Sequence, residues 1–158
     1  MSRVAVVTGA GSGVGRAVVN RMAREGWSVG LIGRSRESLD DTIRIAGVGS
    51  VINAGSGTNN IEDSGSGNRI IMPAIGGFDD VFGYVLQNSD MLDFRAALSK
   101  TTWNGSNATL GNFLKVTMSG TDATIALAPT AGGAATKVAV LRDSGSLDLA
   151  GLLTHAIV

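Results

Sequence analysis

A glycine recurs every ten residues in the middle of the chain, at Gly47, Gly57, Gly67 and Gly77. Four positions after each glycine stands an apolar, β-branched residue: Val51, Ile61, Ile71 and Val81. Glycine permits the left-handed backbone of a tight turn, and β-branched side chains favour extended strands. The register therefore predicts a stack of short strands joined by turns, in which each strand directs one β-branched side chain into a shared core.

The first 45 residues carry a different pattern. Val4 to Val7 is a short apolar run typical of a buried parallel strand, and a glycine-rich turn follows it. A helix is predicted from about Gly13 to Glu25, and a second strand from Ser28 to Ile32. In such a βαβ unit the helix N-terminus directs free backbone N–H groups towards the loop, where they can bind a pyrophosphate.

This loop resembles the TGxxxGxG loop of the short-chain dehydrogenase/reductases. The segment after the second strand resembles the basic pair that members of that family use against the 2′-phosphate of NADP. The resemblance implies that seven residues bind the cofactor: Thr8, Gly9, Ser12, Gly13, Gly15, Arg34 and Arg36.

The catalytic residues of that family are not found in the expected pattern. Its catalytic tyrosine is followed four positions later by a lysine, whereas the single tyrosine here, Tyr84, is followed at that distance by Asn88. The stretch Asn53-Ala54-Gly55 imitates a family motif, but it lies too close to the second strand to leave room for the intervening elements. We therefore expect no enzymatic activity. The alternative interpretation is a truncated, inactive and cytoplasmic NADP-binding fragment of an oxidoreductase.

From residue 46 onwards, the glycine register resembles the calcium-binding RTX repeats. In those repeats an aspartate two positions after the glycine binds calcium, and here these positions hold Gly49, Asn59, Arg69 and Asp79. Only the last of them is a carboxylate, and the nearby cation Arg69 disfavours calcium in the middle turns. The resemblance implies a calcium site at Asp79, with Asp80 or Asp63 as further ligands.

Segments at 88–98, 109–116, 123–127, 138–141 and 147–153 follow the repeat in an order that resembles the C-terminal target domain of bacterial type I secretion substrates, and with the repeat this resemblance covers residues 46–158. Apolar residues alternate with polar or small ones between Val116 and Val140, which predicts antiparallel strands. An apolar tail from Leu147 to Leu153 follows. The resemblance implies that the type I secretion apparatus is a partner and that the protein is secreted or displayed at the cell surface.

Composition limits the remaining classes of function. Lys+Arg and Asp+Glu are balanced at 13 each, which argues against nucleic acid as a partner, and there is no cysteine for disulfides or thiolate zinc sites. No apolar run reaches the about 20 residues of a membrane helix. Uncovered strand edges indicate a homo-oligomer or self-assembly.

Together these features predict a mainly β fold, in which a short parallel β-roll leads into an antiparallel β domain and a βαβ fragment precedes both. The predicted domains are a dehydrogenase-like fragment at 1–45, a degenerate β-roll at 46–85 and a secretion-type domain at 86–158. The predicted function is a non-enzymatic extracellular module for export, calcium-assisted folding or self-assembly.

Overall fold

The N-terminal part of the chain forms a βαβ unit in the computed structural model, which describes residues 3–8, 13–25, 27–32, 43–45, 48–63, 65–83 and 85–158. Strand β1 (Val4–Thr8), helix α1 (Gly13–Arg24) and strand β2 (Ser28–Ile32) follow one another. The two strands are parallel, with Val4 opposite Ser28 and Thr8 opposite Ile32. The βαβ unit predicted from the apolar run and the glycine positions is thus confirmed.

Ten further strands of the described residues form two sheets. Their bounds are β3 (Ile43–Ile45), β4 (Val51–Ile52), β5 (Thr58–Asp63), β6 (Arg69–Ile71), β7 (Phe78–Phe82), β8 (Met91–Asp93), β9 (Leu114–Ser119), β10 (Asp122–Leu127), β11 (Thr136–Leu141) and β12 (Ala156–Ile157). The first sheet has the order β3-β5-β7-β11-β10-β9, and the second has the order β12-β8-β6-β4. From β3 to β8, successive strands alternate between the two sheets, and we call residues 43–158 the two-sheet stack.

Short helices lie between the later strands of the stack. They are α2 (Arg95–Leu98), α3 (Asn107–Leu110) and α4 (Leu149–Leu153). Each buries a leucine in the core, namely Leu98, Leu110 and Leu152. No helix in the described part of the chain is long and apolar enough to cross a membrane.

Apolar side chains from both sheets fill the core of the stack. Ile61 and Val81 come from the first sheet, Ile70 and Leu92 come from the second, and each is at most 1% exposed. Burying one side chain of this size contributes about 1.5–3 kcal/mol. Buried and more exposed side chains alternate along β5, β7 and β10 of the first sheet and along β6 of the second, so both sheets direct one face towards the core.

The glycine register predicts the inward-facing positions only in part. Ile61 and Val81 are buried as expected, but Val51 is 41% exposed and Ile71 is half-buried. Their neighbours Ile52 and Ile70 fill the core instead. Because side chains alternate between faces along a strand, a shift of one residue exchanges inside for outside, and a ten-residue period does not fix that shift.

The predicted fold class, a mainly β chain with a β-roll followed by an antiparallel β domain, is wrong. Seven of the nine pairings among the described strands are parallel, and helices lie between β1 and β2, between β8 and β9 and between β11 and β12, which is the pattern of an α/β fold. Strands β9 and β10 do not form a sheet of their own, because β11 pairs with β10 on one side and, in parallel, with β7 on the other.

The physical reason is that periodicity identifies strands but not their neighbours. The alternation between Val116 and Val140 coincides with β9, β10 and β11, yet it contains no information about the sheet that they join. A parallel pairing such as β7 with β11 needs a long crossover connection, which local turn signals do not reveal. The predicted domain bounds at residues 45 and 85 stay a prediction.

Candidate functional site

The candidate cofactor site lies where strands β1 and β2 end. Thr8 is the last residue of β1 and lies opposite Ile32, the last residue of β2. The chain therefore leaves both strands at the same edge of this small sheet, which we call the carboxyl edge. In parallel α/β units, ligands bind at this edge.

Helix α1 begins with a glycine in a left-handed conformation. Gly13 has a φ of +54°, which most other residues adopt only at a cost in free energy. Gly15 is half-buried in the first turn of the helix. That turn contains no acidic residue, so no carboxylate of the turn neutralises the partial positive charge at the helix N-terminus. An anion is therefore favoured at this end of α1.

The structure describes three of the seven predicted cofactor-binding residues. Thr8 ends β1, Gly13 begins α1 and Gly15 lies in the first turn of that helix. The other four fall outside the described residues: Gly9, Ser12, Arg34 and Arg36. Tyr84 also falls outside them, whereas Asn88 lies in the turn that precedes β8.

One contact of the βαβ unit was missed by sequence reasoning. The guanidinium of Arg3 lies over the Trp27 ring, 5.4 Å from its centroid, at the opposite edge of the β1-β2 sheet. The parallel register produces this contact, because it sets Val4 opposite Ser28 and so brings the preceding residues together. Cation–π contacts of this kind contribute about 0.5–1 kcal/mol at exposed sites.

Asp79, the first of the predicted calcium ligands, is completely buried on β7. Its Oδ1 accepts a hydrogen bond of 2.8 Å from Nδ2 of Asn59, which lies opposite it on β5. Its Oδ2 has no hydrogen-bond partner among the described residues. Burial raises the pKa of Asp79 to about 6, against the opposing effect of the Asn59 hydrogen bond.

Asp80, the second candidate, is bound by a cation of the protein itself. Arg142 donates from Nε and Nη2 to the two oxygens of Asp80, at 2.6 and 2.7 Å. Its Nη1 also donates to Asp122 Oδ2 at 2.8 Å, which links β7 to β10 across β11. The guanidinium therefore occupies the position at which a metal ion would contact Asp80.

Asp63, the third candidate, ends β5 and is also completely buried. Both of its oxygens accept from Nδ2 of Asn68 at 3.0 Å, and Oδ1 accepts from the backbone N–H of Gly65 at 2.8 Å. Within the described ranges, no group of three or more histidine, cysteine, aspartate or glutamate side chains could hold a metal ion. The predicted calcium site at Asp79, Asp80 and Asp63 is therefore not supported.

Comparison with known proteins shows a likeness over part of the chain. Residues 3–58 match the model of the short chain dehydrogenase family. An uncharacterized oxidoreductase of Staphylococcus aureus (strain USA300) is 37% identical over 79 residues, which cover 50% of this chain and 34% of the relative. The (3R)-3-hydroxyacyl-CoA dehydrogenase of Homo sapiens is 48% identical over 46 residues, covering 29% of this chain and 18% of the relative.

A third relative, the very-long-chain 3-oxoacyl-CoA reductase-A of Danio rerio, is 46% identical over 44 residues, or 28% of this chain and 14% of the relative. The chain thus covers 34% or less of the length of these relatives. No solved structure matches the chain. These matches do not support the resemblance of residues 46–158 to RTX-like secretion domains, and the secretion apparatus as a partner stays a prediction.

The match to the family model extends further along the chain than the β1-β2 sheet does. It reaches residue 58, yet β3 pairs with β5 in the two-sheet stack, and the β1-β2 sheet has two strands among the described residues. Residues 3–58 are therefore similar to the short chain dehydrogenases in sequence, and within this range β1, α1 and β2 form the βαβ unit.

Proposed function

We propose that residues 3–58 are a dinucleotide-binding unit derived from a short-chain dehydrogenase/reductase, and that this unit binds NADP without catalysing hydride transfer. The alignment of the carboxyl ends of β1 and β2, with Thr8 opposite Ile32, is the observation that carries the proposal. The glycine-rich loop follows Thr8 and the basic segment follows Ile32. A ligand at the carboxyl edge can therefore interact with both segments.

Each candidate residue has a distinct role in this proposal. Gly13 and Gly15 allow the backbone at the start of α1 to approach the pyrophosphate closely. Thr8, Gly9 and Ser12 supply hydrogen-bond donors along the loop. The guanidinium groups of Arg34 and Arg36 pair with the 2′-phosphate, which distinguishes NADP from NAD.

Two observations support binding without catalysis. Asn88 stands four positions after Tyr84, where the family's catalytic pair requires a lysine, so this segment cannot lower the pKa of a tyrosine in that way. Val4 and Val6 on β1 are 70% and 64% exposed, so among the described residues no second layer covers this face of the sheet and could enclose a nicotinamide ring. A cytoplasmic location, where NADP is available, belongs to the same proposal.

The test is a titration of the full chain with NADPH and with NADH. Binding is measured by calorimetry and by the fluorescence of Trp27 and Trp103. We expect NADPH to bind more tightly than NADH. The double variant Arg34→Ala/Arg36→Ala is expected to lose about tenfold or more in NADPH affinity, because it loses two charge-assisted contacts, and to leave NADH affinity unchanged.

Arg21→Ala is the matched control, because Arg21 is an exposed arginine of α1 that pairs with Glu25 on the same helix. This variant should bind NADPH like the wild type. Equal affinity of the wild type for NADPH and NADH, or the same loss in Arg21→Ala as in the double variant, would contradict the proposal.

A second assay addresses catalysis. The names of two relatives refer to 3-hydroxyacyl-CoA and 3-oxoacyl-CoA compounds. We expect no oxidation of NADPH when the chain is mixed with a 3-oxoacyl-CoA, as followed by NADPH absorbance. Turnover that depends on Tyr84, tested with Tyr84→Phe, would show that the chain retains an enzyme's catalytic machinery.

A further inference from the structure

A buried polar cluster connects strands of the two sheets. The backbone N–H of Ser50 donates to Asn68 Oδ1 at 2.8 Å, and the backbone N–H of Asn68 donates to Asp90 Oδ1 at 2.7 Å. The Asn68 amide also donates to both oxygens of Asp63 at 3.0 Å. These four residues are at most 9% exposed, and we call them the Asn68 cluster.

The cluster holds two carboxyl groups and a single amide side chain between them. Asp90 is fully buried, and its Oδ2 has no hydrogen-bond partner within the described part of the chain. A buried carboxylate oxygen without a donor is costly in its charged form. Burial raises the pKa of Asp90 to about 6, the hydrogen bond from Asn68 opposes this, and the charge of Asp63 raises it further.

The charged groups on the neighbouring elements do not compensate for Asp90. Arg69 on β6 lies opposite Met91 on β8, and successive side chains of a strand point to opposite faces. Arg69 is therefore on the face of the second sheet that is opposite to Asp90, and on this face Arg95 pairs with Asp93. His155, whose carbonyl accepts from Leu92 N–H, comes directly before β12 and lies beside Met91 by register. Glu62 adjoins Asp63 on β5 and is half-buried, and the described turn residues 85–89 carry no charged side chain.

We propose that the Asn68 cluster is a pH-sensitive junction, at which uptake of one proton by the Asp63–Asp90 pair stabilises the packing of strands β4, β6 and β8. The proton removes one of two negative charges that are both shielded from water. Since the two carboxyl groups interact, the proton belongs to the pair, with Asp90 as its main site because Asp63 already accepts three hydrogen bonds.

The direction of the effect follows from the two protonation states. The pKa of Asp90 is higher in the folded chain, at about 6, than its ordinary value of 3.8, so the folded state binds more protons between these values. The stabilisation is fully present below the ordinary value and is lost as the pH rises through about 6. Asp79 contributes in the same direction, because burial also raises its pKa to about 6, so a variant is needed to isolate the junction.

The experiment is urea unfolding of the full chain between about pH 5 and about pH 8, with Trp103 fluorescence as the signal. In the wild type we expect the unfolding midpoint to fall as the pH rises. Asp90→Asn keeps the shape of the side chain and removes its charge, so its midpoint should fall less and should exceed that of the wild type at the upper pH. A fall as large as in the wild type would overturn the proposal.

Asp143→Asn is the control, because Asp143 is an exposed aspartate of the same stack and should keep the wild-type pH dependence. If Asp90→Asn does not fold, the carboxyl ¹³C shift of Asp90 in the wild-type protein replaces the comparison. A titration midpoint near pH 6 supports the junction. A midpoint at or below the ordinary value of 3.8 overturns it.

Discussion

The βαβ unit at residues 4–32 and the two-sheet stack at residues 43–158 both contain parallel strands, but they differ in what covers the strand faces. In residues 3–32, no side chain whose exposure is described is buried, and Val14 on α1 is 81% exposed. In the stack, Ile70 and Leu92 are completely buried between two sheets. The difference arises because a second layer covers the strands of the stack. It does not arise from the composition of the strands, since those of both regions are rich in β-branched residues.

The residues that stabilise the fold and the residues that resemble the family therefore lie mainly in different parts of the chain. The core of the described residues extends from Ile52 to Leu152 and contains no residue of the βαβ unit. The match to the family model covers residues 3–58, and its last residues overlap the start of that core at Ile52. We therefore expect changes in the stack to control folding and changes at the carboxyl edge to control cofactor binding.

The largest effect is expected from a cavity in the stack. Leu92→Ala truncates a completely buried side chain on β8, between β6 and β12. The lost burial and the cavity should lower the free energy of unfolding by about 2–5 kcal/mol. Urea unfolding measures this change, with both tryptophans as signals.

Val51→Ala is the control, because Val51 lies in the same sheet but is 41% exposed. It should cost less than about 1 kcal/mol. If the two variants were equally destabilised, the second sheet would not have the buried face on which the comparison of the two regions rests.

A smaller effect is expected from Asp79, a carboxyl group inside the stack. Because burial raises its pKa in the folded chain to about 6, the wild type should lose up to about 2 kcal/mol of stability as the pH rises from 5 to 8. Asp79→Asn removes this titration and keeps an acceptor for the Asn59 amide, so the loss should shrink. An unchanged pH dependence in Asp79→Asn would show that Asp79 is charged in the folded chain throughout this range.

Two other aspartates have lowered pKa values, and they affect the stability of the folded chain at a lower pH than Asp79 does. Hydrogen bonds from Arg95 lower the pKa of Asp93 below its ordinary value, and hydrogen bonds from Asp143 N–H and Arg142 lower the pKa of Asp122. Their contribution is present above the ordinary value of 3.8 and is lost as the pH falls through their lower values. Stability should therefore be greatest in mildly acidic solution and decline on both sides of it.

The βαβ unit could be predicted from the sequence because its signals are local. A short apolar run, a glycine-rich turn and a helical spacing of apolar residues specify the elements, and the parallel orientation of the two strands follows from their order. The same signals predicted Thr8 in the turn directly after β1, whereas it is the last residue of that strand, and they predicted the start of α1 at Gly13, where the helix begins. The contact of Arg3 with Trp27 depends on the register of the two strands, so no local pattern indicated it.

The two-sheet stack could be predicted only in part, because its decisive contacts are distant in sequence. Arg142 and Asp80 are 62 residues apart and meet because β11 joins β7. A turn motif led to the prediction of Asp80 as a calcium ligand, whereas this long-range pairing supplies it with a guanidinium. Likewise, Asn59 lies 20 residues before Asp79 and faces it through the parallel register of β5 and β7.

The smallest effect on folding is expected from the exposed valines of β1. The double variant Val4→Ser/Val6→Ser replaces side chains that are 70% and 64% exposed, so the free energy of unfolding should change by no more than about 0.5 kcal/mol per site. The chain is also predicted to self-associate, and an exposed apolar strand face is a surface on which a second copy could pack. Sedimentation velocity at increasing concentration should then show less association in this variant than in the wild type.

Val48→Ser is the matched control, since Val48 is a valine of the stack with a similar exposure of 69%. If association falls equally in both variants, loss of apolar surface in general, and not the β1 face, explains the change. If Val4→Ser/Val6→Ser costs as much stability as Leu92→Ala, the β1 face is covered in solution. The two regions would then differ in the source of their second layer, because another copy of the chain would supply it to the βαβ unit.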